Sequence, residues 1–235
     1  MIIDFMHNIR RFGGSKMSTD AATMNLTNTL EDRFVAVREQ TERLAEPLSA
    51  EDACVQSMPD TSPVKWHLAH TTWFFETFIL STQIENYVPF DPRYRFLFNS
   101  YYNTVGEQYS RPHRGLLTRP SLAEVHRYRH HVSKRLSELI TQDLAAAISD
   151  VIEVGLHHEQ QHQELLLMDV KHLFSCNPIF PAYTQTAHHS ASPPALKYCD
   201  FAGGILEIGA EDSGFSFDNE RPRHRALVQE FALGS

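Results

Sequence analysis

Residues 145–174 read AAAISDVIEVGLHHEQQHQELLLMDVKHLF, and this stretch decides the fold. Its apolar residues recur every three or four positions, the period of an amphipathic helix. Within it lies His158-Glu-Gln-Gln-His162-Gln-Glu164. Histidines four apart on a helix sit about 40° apart around the axis and one turn along it, so both imidazoles can close on one metal ion. Gln161, about 60° round from His158, lines the same cavity without being an obvious ligand. Gly155 leaves room near that face, and Leu165 returns to it as a bundle interior requires. Glu164, about 240° from His158, points away and suits a contact behind the ligands or between helices.

Three further helices precede this one. Leu26, Leu30, Phe34, Val37 and Leu44 give an amphipathic helix over residues 26–45, with Pro47 just past its end. Ser62-Pro63 offers an N-cap followed by proline at the first helical position, and the second helix runs to about Gln83. A connection of about thirty residues follows, punctuated by Pro89, Pro92, Asn103, Gly106, Pro112 and Gly115. That is too long for a passive turn, so it covers something or belongs to a site. Ser121-Leu-Ala-Glu124 is a capping box opening the third helix, which continues through Leu122, Val125, Val132, Leu136 and Leu139. Four amphipathic helices in a row predict a mainly α fold, an antiparallel four-helix bundle.

Composition shifts after it. TAHHSASPPA (residues 186–195) is a polar, proline-bearing linker. Beyond it Phe201, Ile205, Ile208, Leu227, Val228 and Phe231, broken by Gly203-Gly204 and Gly209, read as short strands. About forty such residues cannot build a core alone. The expected organisation is a disordered extension (1–25), a four-helix bundle carrying a metal site (26–185), a linker (186–196) and the opening of a β-rich second domain (197–235). Met17 is an alternative start within the extension.

The chain of 235 residues has ordinary globular composition and a net charge of -8, which argues against nucleic acid as a partner. No apolar run reaches the roughly 18–20 residues of a membrane span, and the first residues lack a secretory h-region. Cys54, Cys176 and Cys199 form neither a CxxC pair nor an even disulfide set, which fits a cytoplasmic location.

A catalytic metal needs a third protein ligand besides His158 and His162. The HExxH spacing is that of zinc proteases, whose third ligand is a histidine six beyond the second or a glutamate about twenty beyond. Position 168 is Met, and no glutamate lies between Glu164 and Glu207, so the protease reading fails. The remaining candidates are His67 and His70 in the second helix, on the stripes His67–Thr71–Phe74–Phe78 and Trp66–His70–Trp73–Thr77. Periodicity does not choose between them. Three neutral imidazoles suit Zn(II) and Fe(II) equally.

Four stretches in fixed order carry a family likeness: WHLAHTTWFFETFIL (66–80), FNSYYNTVGEQYSRPHRGLLTRPSLAEV (98–125), HHEQQHQELLLMD (157–169) and FAGG…IGA…FDNERPRH (201–224). Over residues 26–235 the chain resembles the ergothioneine-biosynthesis sulfoxide synthases, in which a DinB-like four-helix bundle is joined to a formylglycine-generating-enzyme-like domain. The resemblance implies a non-haem Fe(II) enzyme using dioxygen. It would join the sulfur of γ-glutamylcysteine or cysteine to the imidazole of a trimethylated histidine betaine, hercynine. It implies His70, His158 and His162 as metal ligands and Gln161 as a contact to the betaine. It also implies a loop arginine on the thiol substrate's carboxylate, for which Arg114 is preferred over Arg111. The catalytic tyrosine it implies lies beyond residue 235, so residues 1–235 are expected to hold the metal and part of the substrate without turning over. Ovothiol- and selenoneine-type enzymes share this architecture. The readings from other classes are a DinB-like zinc-dependent thiol transferase and a non-catalytic metal-binding bundle.

Overall fold

The computed structural model describes residues 29–102, 104–141, 145–185 and 194–234, with backbone alone at 145–147. The chain divides into two compact units, one of them Met24–Gln185 and the other containing Thr186–Ser235. Four long helices build the first: α1 (Leu30–Ala45), α2 (Val64–Phe75), α3 (Leu122–Ile140) and α4 (Ala145–Cys176). No described helix is long and apolar enough to cross a membrane.

Local chemistry sets the helix ends. Thr29 caps α1 in a reciprocal capping box with Asp32, so α1 begins later than Leu26, which lies outside the described residues. The N-cap of α2 is Pro63, not Ser62. Both polar groups of Ser62 are engaged elsewhere, its N–H donating to Asp169 and its hydroxyl accepting from Arg114. Helix α2 continues through a π-helical turn, Glu76–Leu80, into Ser81–Gln83, the end expected for it. Only half of the third capping box forms: Ser121 accepts from the Glu124 N–H, while the Glu124 carboxylate accepts from Tyr94.

The core follows the expected stripe on α3, where Val125, Val132, Leu136 and Leu139 are buried. Helix α1 departs from it. Its buried positions are Phe34, Arg38, Thr41 and Ala45, two of them polar. Their partners give the helix directions. Arg33 and Arg38 reach Glu153 and Glu159, numbers that rise together, so α1 and α4 run the same way. Ser62 with Asp169, and His70 with His158, rise against each other, so α2 and α4 are antiparallel. Arg38 with Ser133 and Glu42 with Arg129 make α1 and α3 antiparallel as well. Helices α2 and α3 therefore point the same way, and the long connection between them carries the chain back along the bundle.

The second unit holds two antiparallel pairs: β1 (Tyr198–Phe201) with β4 (Phe231–Gly234), and β2 (Gly204–Ile208) with β3 (His224–Val228). Gly209 turns the chain after β2 at φ +113°, where a Cβ would meet the Arg223 Cα at 2.9 Å.

Candidate metal centre

His70, on the buried face of α2, and His158 and His162, on α4, bring one ligand nitrogen each within 4.8 Å of one another. The Nε2 atoms of His70 and His158 are 3.1 Å apart. Ring centroids lie 4.7–4.9 Å apart for all three pairs. His67, the other candidate on α2, stands beside the cluster rather than in it.

Close packing of α2 on α4 sets this geometry. A Cβ at Gly155 would fall 2.5 Å from the Phe75 ring and 3.0 Å from that of Phe74. Gly155 thus admits two aromatic rings of α2, not space beside a metal, and Phe74 in turn packs against the His158 ring at 4.9 Å. Leu165, expected inside the bundle, is 36% exposed, and its neighbour Leu166 takes the core position. Beyond His162 the buried side of α4 is carried by Leu166 and Asp169, and His162 is itself only partly buried.

Burial removes water from the imidazoles and so disfavours their charged forms. It is the main cause holding His158 at a pKa of about 4 and His70 and His162 well below the ordinary histidine value; their mutual proximity adds to it for the latter two. At neutral pH the cluster presents lone pairs. His70 donates its Nδ1–H to the Phe98 carbonyl at 2.6 Å, which leaves Nε2 free to ligate. The buried His158 Nδ1 has no hydrogen-bond partner among the described residues. Three uncharged, converging imidazoles, two facing through Nε2 at near-ligand spacing, fit a divalent transition metal.

Around the cluster sits a cation. Arg114, only 4% exposed, lies flat on Trp66 with its guanidinium carbon 3.4 Å from the ring centroid. Trp66 stacks in turn on His70 at 4.5 Å. Arg114 donates to the hydroxyls of Ser62 and Ser100, its Nε is buried without a partner, and no carboxylate pairs with it among the described residues. Burial, aided by the Arg111 charge, lowers its pKa to about 9. Arg111 is less deeply placed, donating to the Asp60 carbonyl and the Tyr101 hydroxyl. Gln161 is half-buried on α4, one residue before His162.

Glu159, the acid of the HExxH pattern, faces away from the cluster. It is fully buried and accepts from Arg38 at 2.8 Å, Arg129 at 3.0 Å and the Thr41 hydroxyl at 2.7 Å. Burial opposes its ionisation, but the two arginines outweigh that and hold its carboxyl below the usual range. It ties α1, α3 and α4 together. Glu164 is exposed, with no hydrogen bond or ion pair among the described residues, so the contact expected of it falls instead to Glu159 and Asp169. Asp169, which sequence reading overlooked, accepts from both His67 and Ser62. Its position, seven residues past His162 and about 20° from it around the helix, was the available signal.

Residues 33–166 match the DinB superfamily, more than half of the chain, and the chain belongs to that superfamily. It is a metal-binding superfamily that includes metal-dependent enzymes. No curated protein matches the chain.

Proposed function

We propose that this DinB-superfamily protein is a non-haem iron(II), dioxygen-dependent sulfoxide synthase that joins the sulfur of γ-glutamylcysteine or cysteine to the imidazole of hercynine. The observation that carries the reading is the juxtaposition of three neutral imidazoles with the buried guanidinium of Arg114, which pairs directly with no carboxylate among the described residues. A buried cation with no carboxylate paired to it directly is costly even with the Asp169 charge nearby, and a substrate carboxylate would offset that cost while a neighbouring metal takes the same substrate's sulfur. The succession of bundle and FAGG…FDNERPRH favours this class over a zinc-dependent thiol transferase, which has no use for the second segment.

In this reading His70, His158 and His162 would hold Fe(II), which when bound supplies oxygen chemistry and open positions for substrate. The protein's own groups do the rest. Arg114, held flat by Trp66 and aimed by Ser62 and Ser100, fixes the thiol substrate's carboxylate. Gln161 orients the betaine imidazole by a neutral hydrogen bond. Phe74 and Trp66 keep water from the inner side of the cluster.

Metal analysis of anaerobically purified protein, followed by nitric oxide binding read by electron paramagnetic resonance, is the test. Iron at the site, with an iron–nitrosyl signal that shifts on adding thiol and betaine, supports the proposal. Stoichiometric zinc, with an Fe(II)-loaded protein indifferent to both substrates, sinks it.

A further inference from the structure

His67 is fully engaged yet ligates nothing in the cluster. Its Nε2 lies 3.0 Å from Asp169 Oδ2 and its Nδ1 lies 2.9 Å from His162 Nδ1. The same Asp169 oxygen accepts the Ser62 backbone N–H at 2.8 Å, so the carboxylate is fixed across α2 and α4. A carboxylate can only accept, so His67 carries its proton on Nε2 and offers a lone pair at Nδ1. His162 must then donate from Nδ1, which leaves its lone pair on Nε2. His70 is fixed the same way by the Phe98 carbonyl. His162 is the one cluster histidine that is not fully buried, so packing restrains it least.

We propose that His67 and Asp169 are a positioning pair: Asp169 orients His67, and His67 holds His162 in the Nδ1–H tautomer with Nε2 turned to the metal. The inference rests on the reading of His70, His158 and His162 as metal ligands. Groups that hold a ligand's second nitrogen set its tautomer, orientation and basicity, and losing one costs about 10- to 100-fold in metal affinity. His67 itself is no ligand, because neither nitrogen has a lone pair left over. The competing arrangement, a doubly protonated His67 donating to both partners, would force His162 to carry its proton on Nε2, the atom the metal needs.

Two measurements test this. Long-range proton–nitrogen spectra of the Zn(II)-loaded protein should find His162 protonated at Nδ1 and metal-bound at Nε2; the reverse assignment overturns the proposal. Co(II) titration of the variants is the second. His67→Phe, which cannot accept from His162, should still bind one Co(II) but about 10- to 100-fold more weakly. His67→Gln, whose amide can accept from His162 and donate to Asp169, should restore affinity to within about threefold. A His67→Phe protein matching the wild type removes the positioning role, and one binding no Co(II) while folded makes His67 a ligand; either overturns the inference. Should His67→Phe fail to fold, the wild-type spectra decide alone. A wild-type protein that takes up neither Zn(II) nor Co(II) refutes the metal reading instead, which separates the two failures.

Discussion

Glu159 is where the zinc-protease pattern and this bundle part most sharply, and replacing it with alanine separates them. The carboxylate is fully buried and takes hydrogen bonds from two guanidinium groups and one hydroxyl. Both arginines are nearly as buried, at 6% and 2% side-chain exposure, so the substitution strands the Arg38 cation away from water and leaves Arg129 with Glu42 alone. Breaking a buried ion pair from one side costs about 3–5 kcal/mol. For a unit of this size each kcal/mol shifts the melting temperature by roughly 2–4 °C, so Glu159→Ala should melt about 10 °C below wild type. Glu159→Gln keeps shape and one acceptor and should lose less. Metal stoichiometry of the protein that remains folded should stay at one, because no Glu159 atom faces the cluster. Thermal melts by circular dichroism, paired with metal titration below the melting range, give both readouts. A Glu159→Gln protein with unchanged melting temperature but abolished metal binding would refute this reasoning and return the glutamate to the metal site.

Three further outcomes follow from the same geometry. The metal-free protein should lose stability as pH falls from about 6.5 to about 4: the unfolded chain protonates His158 near 6.5 while the folded site resists to about 4, so the stability is complete above 6.5 and about 3 kcal/mol is gone by the lower end, measurable by urea melts across that window. Gly155→Ala should cost about 1–3 kcal/mol in the same melts, because the added methyl meets Phe75 at 2.5 Å. Arg114→Met should weaken cysteine binding to the Co(II)-loaded protein about 10- to 100-fold while leaving 2-aminoethanethiol, which lacks the carboxylate, unchanged.

Much of this bundle is legible from apolar spacing, and what is hidden is polar and long-range. The α3 stripe and the extent of α4 follow from period alone, as does the pairing of His158 with His162. Period cannot show that Arg38, Thr41, Arg129 and Glu159 are interior, because each is tolerable only beside partners 30 to 121 residues away. It cannot choose between His67 and His70 either, since both stripes of α2 are buried. The deciding group is Phe98, whose carbonyl reaches His70 from the long connection. Leu165 misled for a related reason: a helical wheel reports direction alone, and past His162 the buried side of α4 runs through Leu166 and Asp169, leaving Leu165 at its edge. The directions of the helices were likewise set by the length of the loop between α2 and α3 rather than by any helix.

The central claim is that one divalent metal is held by His70, His158 and His162. Anaerobic equilibrium dialysis against Fe(II), on wild type and His70→Ala with folding checked by circular dichroism, tests it directly. One ion per wild-type chain and none in folded His70→Ala is the expected result. Equal loading of the two proteins, or an empty wild type, would contradict it.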